Sequence, residues 1–239
     1  MSVEGKGSCC AVSRNSEKTA IEAAPIIPAG VGERSNAIAL PGGRSHVGID
    51  NPAIPKDGEG PARFVKLNPF ALEAQTVTNR RFAEFVDATG YVSEAERFGW
   101  SAVFAGLVSK DTEVTGGAPD TPWWWRIDGA CWRHPEGPGS SVEDRLDHPV
   151  TQVSHADAVA FATWVGGRLP SEAEWERAAH GGVVGRKFVW GDEEPTDTKI
   201  FCNIWQGRFP DHNTMADGYM GTAPARSFEP NEGGFYNMA

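Results

Sequence analysis

The sequence predicts an irregular α+β domain, in which a few helices and short strands are held among long turns. Three observations carry this expectation. Glycine and proline contribute 28 and 17 of the 239 residues, above ordinary usage, and so punctuate the chain with turns. Only three segments combine helical periodicity with readable ends. Nine tryptophans supply large apolar surfaces in stretches that have no period of their own.

Residues 1–35 are dominated by Ser, Glu, Lys, Ala and Pro and show no amphipathic period. They read as a disordered N-terminal tail, leaving 36–239 as one domain. Order is expected to begin at Ala37-Ile-Ala-Leu-Pro-Gly-Gly43, an apolar run followed by a turn and therefore a first strand. Pro52, Pro55, Gly58, Gly60 and Pro61 make residues 50–62 a loop. Residues 64–72 alternate apolar with polar at first and form the next strand candidate. Thr78 then caps a helix from Asn79, with Phe82, Phe85 and Val86 as its buried stripe and Gly90 as its stop.

Residues 99–150 are the irregular part, and their five tryptophans argue that they are ordered. A second helix follows Ser154, which Asp157 can complement as a capping pair. Ala158, Phe161, Ala162 and Val165 share one face, and Gly166-Gly167 ends the helix. The third helix has both ends written out. Ser171 and Glu174 form a Ser-x-x-Glu capping box, Glu172 places negative charge in the first turn, and Gly181-Gly182 terminates it. Trp175, Ala178 and Ala179 are spaced to form its buried face. Phe188-Val-Trp-Gly-Asp192 reads as a short strand, and from Asn203 onward the chain is mostly turns.

Composition also excludes. A formal net charge of −10 with no Lys/Arg block argues against a nucleic-acid partner. No apolar run approaches the roughly 18 residues that a membrane span needs. The four cysteines, Cys9, Cys10, Cys131 and Cys202, have no C-x-x-C spacing, and so outline neither a disulfide framework nor a zinc site. A polar N-terminus without a signal-type apolar core completes the expectation of a monomer in a reducing, cytoplasmic compartment.

A series of segments resembles one family, the formylglycine-generating enzymes or sulfatase-modifying factors. They are Leu40-Pro-Gly-Gly43, Thr76-Val-Thr-Asn79, Ala88-Thr-Gly-Tyr91, Pro122-Trp-Trp124, Gly129-Ala-Cys-Trp-Arg-His-Pro-Glu-Gly137, His148-Pro-Val150, Gly167-Arg-Leu-Pro-Ser-Glu-Ala-Glu-Trp-Glu176, Trp190-Gly191, Asn203-Ile-Trp-Gln-Gly207 and Gly221-Thr-Ala-Pro224. The resemblance covers roughly residues 37–239. It implies a C-type-lectin-like fold with little regular structure. It also implies oxidation of the cysteine of a Cys-x-Pro-x-Arg motif in an unfolded sulfatase polypeptide to formylglycine, using dioxygen, copper(I) and a pair of cysteines. In the family those cysteines follow a Gly-Asn-Val-Trp-Glu-Trp type motif, whereas this sequence reaches Ala239 before such a motif. None of its four cysteines matches them. The expectation is therefore a C-terminally truncated relative in which no catalytic residue can be assigned and the copper site is missing.

The resemblance places a structural calcium on Asn203 and Asp217 by side chain and on Ile204 and Tyr219 by backbone carbonyl, with Asn237 belonging to a second calcium site. The residue types suit calcium, which takes carboxylate, amide and carbonyl oxygens in turn-rich loops. Asn203 could equally cap a turn and Asp217 open an Asp-Gly turn. The resemblance places Phe104, Trp123, Arg133 and His134 beside the peptide groove, against the alternatives of core packing for Trp123 and a buried ion pair for Arg133. A sister activity, iron-dependent sulfoxide synthesis, would need three histidine ligands. None of the six histidines lies four residues from another, which counts against it. The rival from a different class is a non-catalytic, lectin-like module that binds a peptide or partner.

Overall fold

The structure, a computed structural model, describes residues 27–34, 36–196 and 198–239. Its strands form small antiparallel sheets between helices. Strand β1 (Ala37–Leu40) pairs not with its neighbour β2 (Gly43–Val47) but with β4 (Phe70–Glu73), while β2 pairs with β3 (Arg63–Leu67). The single strand expected over 64–72 is thus two strands. Asn68-Pro69 divides them, because proline offers no N–H to a ladder and the chain must change partners there. Gly42 permits the crossing, since a Cβ at that position would lie 2.7 Å from the Leu67 carbonyl oxygen.

Helix α1 (Asn79–Thr89) starts where Thr78 accepts from Arg81 N–H, and ends at Gly90 in the left-handed region. Phe82 and Phe85 are fully buried on its inner face. They meet Phe161 and Trp164 of α3 (His155–Trp164), together with Trp132 from the long loop that precedes α3. Tyr91, Val142 and Val165 complete this aromatic core. Trp132 is wholly enclosed, so the irregular segment around it is ordered by burial rather than by periodicity.

Between α1 and α3 lie α2 (Glu94–Phe98) and a three-stranded sheet in the order β5 (Trp100–Phe104), β7 (Thr121–Asp128), β6 (Gly116–Ala118). This sheet occupies the region that the sequence left irregular. The Pro122-Trp-Trp-Trp125 run has no alternation to reveal a strand. Pro122 sits beyond the last β5 pair, Phe104 with Trp124, where its missing N–H does no harm.

Asp157, fully buried, is the junction of these parts. One carboxylate oxygen closes the α3 capping box by accepting Ser154 N–H at 2.7 Å. The other accepts the Tyr91 hydroxyl at 2.9 Å and Glu94 N–H, at the start of α2, at 3.0 Å. Burial, and then the bond to this carboxylate, push the Tyr91 phenol above its ordinary range.

The C-terminal end of α3 is closed from the other side of the chain. Gly30 and Gly32 N–H groups donate to the Thr163 and Trp164 carbonyls, and the Arg34 guanidinium reaches the Val165 and Gly166 carbonyls. A side chain at Gly32 would strike the Trp164 ring at 2.6 Å. Residues 27–34 therefore lie on the domain rather than in the expected tail. Residues 1–26 and 35 of that tail fall outside the described residues.

Helix α4 (Glu172–Ala179) has the capping box its sequence announced, but not the buried face. Glu174, Ala178 and Ala179 are buried, whereas Trp175 is 44 % exposed. Glu174 turns inward to accept Ser171 N–H and the Arg168 guanidinium. The two small alanines lie where Asn231 donates to both of their carbonyls. Trp175 stands one turn earlier, outside that close approach. Phe188–Gly191 is an isolated bridge rather than a strand, and β8 (Gly207–Arg208) with β9 (His212–Asn213) makes a short hairpin in the last part of the chain.

Two outcomes follow for stability. Asp157→Asn replaces one acceptor oxygen with an N–H₂ donor that faces other donors inside the core and should cost about 3 kcal/mol. This would be read as a lower urea midpoint with an unchanged slope. Glu174 is held near pKa 2 by its bonds to Arg168 and then Ser171, against 4.5 for a free glutamate. Its contribution is complete above the unfolded-chain value and fades as the pH falls from about 4.5 toward 2. Unfolding of wild type and Glu174→Gln across that window should show a stability gap that closes on acidification.

Candidate functional site

The 202–221 loop has almost no regular structure, so its form depends on side-chain bonds to backbone. Gln206, 7 % exposed, organises it. Its amide N–H₂ donates to the Ile204 carbonyl, its side-chain oxygen accepts Asp217 N–H at 3.4 Å, and its main-chain oxygen accepts Thr214 N–H. Asn203 donates to the Gly221 carbonyl at 2.8 Å, tying the two ends of the loop together. Asp217 Oδ1 accepts Tyr219 N–H at 2.9 Å across Gly218, whose φ of +91° suits the turn. Four of the residues singled out from sequence, Asn203, Ile204, Asp217 and Tyr219, are thereby drawn into one hydrogen-bonded loop. Asp217 does open an Asp-Gly turn, as the simpler reading has it, whereas the hydrogen bond of the Asn203 side chain spans the loop rather than capping a turn.

One atom is left over by that reading. Asp217 Oδ2 is buried and has no hydrogen-bond partner. A carboxylate oxygen away from water and without a donor is costly unless a cation meets it. Its charge is felt nearby: burial, and then Asp217, push the Cys202 thiol upward. Asn237, the remaining predicted ligand, also has a buried and unpartnered Oδ1, while its amide donates to the Pro224 carbonyl at 3.4 Å. Among the described residues no three His, Cys, Asp or Glu side chains converge on a metal position. The donors at Asp217 are one carboxylate with amide and carbonyl oxygens, a set suited to a hard cation rather than to a transition metal.

The same loop carries an aromatic cluster on its outer side. Trp205 lies 5.4 Å from Phe104 of β5 and 5.3 Å from Phe209, between ring centroids. Phe209 also meets Phe104 at 5.9 Å and Trp123 of β7 at 5.0 Å. Trp124 closes on Phe104 from the sheet. The cluster is open to solvent, since Phe209 is 47 % exposed and Ile204, Met215 and Met220 are exposed as well. Phe104 and Trp123 are thus brought together as expected, in part by packing. Trp205 and Phe209 join them unannounced. Trp205 could have been found, because it stands inside the Asn-Ile-Trp-Gln-Gly run. Phe209 has no such signal.

Arg133 and His134 go elsewhere. The Arg133 guanidinium lies 4.2 Å over the Trp132 ring and 3.6 Å from Asp87 of α1, in a half-exposed ion pair. His134 Nδ1 is 2.6 Å from the Ser140 carbonyl oxygen, and its backbone bridges Cys131. Cys131 and Cys202 are buried free cysteines. A copper(I) site asks for accessible thiolates. Two buried thiols, one of them shifted away from ionisation, do not fit it.

Comparison with known proteins bears on the whole chain. Residues 24–239 match the family described as sulfatase-modifying factor enzyme 1-like domain. The chain is 53 % identical over 204 residues to a formylglycine-generating enzyme of Thermomonospora curvata, covering 84 % of this chain and 67 % of that protein. To the Streptomyces coelicolor protein of the same name it is 50 % identical, covering 84 % of this chain and 65 % of that one. It is also 44 % identical over 213 residues to the inactive Cα-formylglycine-generating enzyme 2 of Bos taurus, covering 87 % and 69 %. It thus spans about two thirds of these relatives' length. Among solved structures, PvdO from Pseudomonas aeruginosa superposes with a TM-score of 0.55 at 23 % identity over 91 % of this chain and 72 % of that one, a likeness of fold.

Proposed function

The chain belongs to the sulfatase-modifying factor enzyme 1-like family, and from that premise we propose that it presents a Cys-x-Pro-x-Arg segment of a sulfatase polypeptide for oxidation of its cysteine to formylglycine. The observation that carries this reading is the open aromatic cluster of Phe104, Trp123, Trp205 and Phe209 beside the 202–221 loop. An extended peptide needs apolar pockets for alternate side chains, and this surface offers rings from two strands and a loop. Arg133 and His134 take no part in it. The catalytic cysteine pair is absent from these 239 residues in this reading, so no copper-dependent step is assigned to any residue here.

Calcium belongs to the proposal as a structural ion. Asp217 Oδ2, unpartnered, and the amide and carbonyl oxygens of Asn203, Ile204 and Tyr219 would hold it. Its effect would be to fix the loop that carries Trp205 and Phe209, and so to preorganise the peptide surface. Asn237 would serve a second ion in the same manner. A non-catalytic peptide-binding module is the second reading, and the inactive Bos taurus relative favours it. The two readings share the surface and differ in whether chemistry follows binding.

Both readings are checked with a synthetic peptide bearing Cys-x-Pro-x-Arg and the intrinsic tryptophan emission of the protein. Saturable binding is expected, weakened about tenfold by Trp123→Ala. Absence of binding would sink the peptide surface. With copper(I) and dioxygen added, no aldehyde should form above the enzyme-free control, and turnover would overturn the claim that the cysteine pair is absent. Calcium titration of chelator-treated protein should raise its thermal midpoint, and Asp217→Asn should abolish the rise. Equal midpoints with calcium and with chelator would remove the ion from the account.

A further inference from the structure

A cleft between β2 and α4, with roughly 40 Å³ of free space, holds an arrangement that the peptide surface does not use. That is room for about three water-sized groups, the scale of a carboxylate or phosphate head. Arg44, His46, Arg177 and His180 line it, together with Glu176 and the Val183-Val184 pair. This is a cationic lining in a chain with 32 acidic and 22 basic residues. Most arginines among the described residues answer a carboxylate, as Arg63, Arg81, Arg145, Arg168 and Arg186 do. No ion pair within the described residues engages Arg44 or Arg177.

Both arginines are nevertheless held in place. The Arg44 guanidinium lies 3.7 Å over the Phe64 ring, and His46 meets the edge of the same ring at 5.3 Å. Arg177 spends one terminal N–H on the Arg44 carbonyl at 3.4 Å. Its Nε is buried and has no partner. Glu176 brings one carboxylate into the same cleft, where one of its oxygens accepts Gly48 N–H at 2.8 Å, and among the described residues it makes no ion pair with either arginine. The C-terminal end of α4 would oppose an anion. Its last carbonyls are covered, however, by Gly181 and Gly182 N–H donating to Ala178 and Arg177.

We propose that this cleft binds a small oxyanion, a carboxylate or a phosphate group, through Arg44 and Arg177 with His46 and His180 beside them. A planar guanidinium with unspent N–H groups matches such an anion in geometry and charge. The bound group would link β2 to α4 and give the buried Nε an acceptor. The site is separate from the peptide surface on Phe104 and Trp123, and its test does not depend on that surface.

The experiment is calorimetric titration of the full chain with inorganic phosphate and, in a second arm, with acetate, at constant ionic strength. Saturable binding of at least one is expected, and the arm that binds tighter identifies the source of the anion. Arg177→Gln should weaken it tenfold or more. Arg44→Gln, a change at an exposed strand position, should do the same while leaving the unliganded thermal midpoint within about a degree. If neither anion saturates on wild type, or if both variants bind as wild type does, the proposal is wrong.

Discussion

A single buried carboxylate, that of Asp157, sets how the helical half of the molecule is assembled. It caps α3, receives the first N–H of α2 and takes the Tyr91 hydroxyl, so the segment from Tyr91 to Glu94 and the distant start of α3 converge on two oxygen atoms. Because the group is buried, each of these bonds must be kept for the others to be affordable. Phe82, Phe85, Phe161, Trp132 and Trp164 then pack as one aromatic core against the geometry it fixes. The β5–β7–β6 sheet follows directly from α2, and with it the strands that place Phe104 and Trp123.

Helix ends were legible in the sequence because capping is local chemistry. Thr78, Ser154 and Ser171 each accept the N–H that their positions predict. The sheets were less legible, because β1 with β4 and β5 with β7 pair strands that are not neighbours in the chain, and β7 carries no alternation. Trp175 shows the limit of periodicity. Spacing assigned it to the core, but the close approach of Asn231 selected Ala178 and Ala179 instead. The N-terminal boundary was misplaced for a related reason. The Gly- and Pro-containing run of residues 27–34 has no period and so conceals main-chain donors that a helix end requires.

At the candidate site the sequence identified the loop but not its contents. Asn203 and Asp217 stand out as oxygen-bearing residues near Asp-Gly and Gly turns, and the fold ties Asp217 to Ile204 through Gln206, a member of the Asn-Ile-Trp-Gln-Gly run to which no role of its own was assigned from sequence. Phe104 and Trp123 both pack on Phe209, a ring that becomes visible only once the loop is folded. Arg133 and His134 were drawn toward the groove by the run they stand in. In the structure that run wraps the core residue Trp132, and the local demands of Asp87 and Ser140 direct both side chains away. The physical boundary is the same in each case: what depends on near neighbours can be read, and what depends on tertiary closure cannot.

The segment 27–34 has a practical meaning for anyone who handles this protein. Its backbone supplies the donors for α3's last carbonyls, and Gly32 lies flat on the Trp164 indole. Shortening the chain to the first residue of β1 would therefore not trim a loose end. It would uncover an indole face and leave main-chain oxygens to water, so the working boundary of the folded unit lies on the N-terminal side of its first strand.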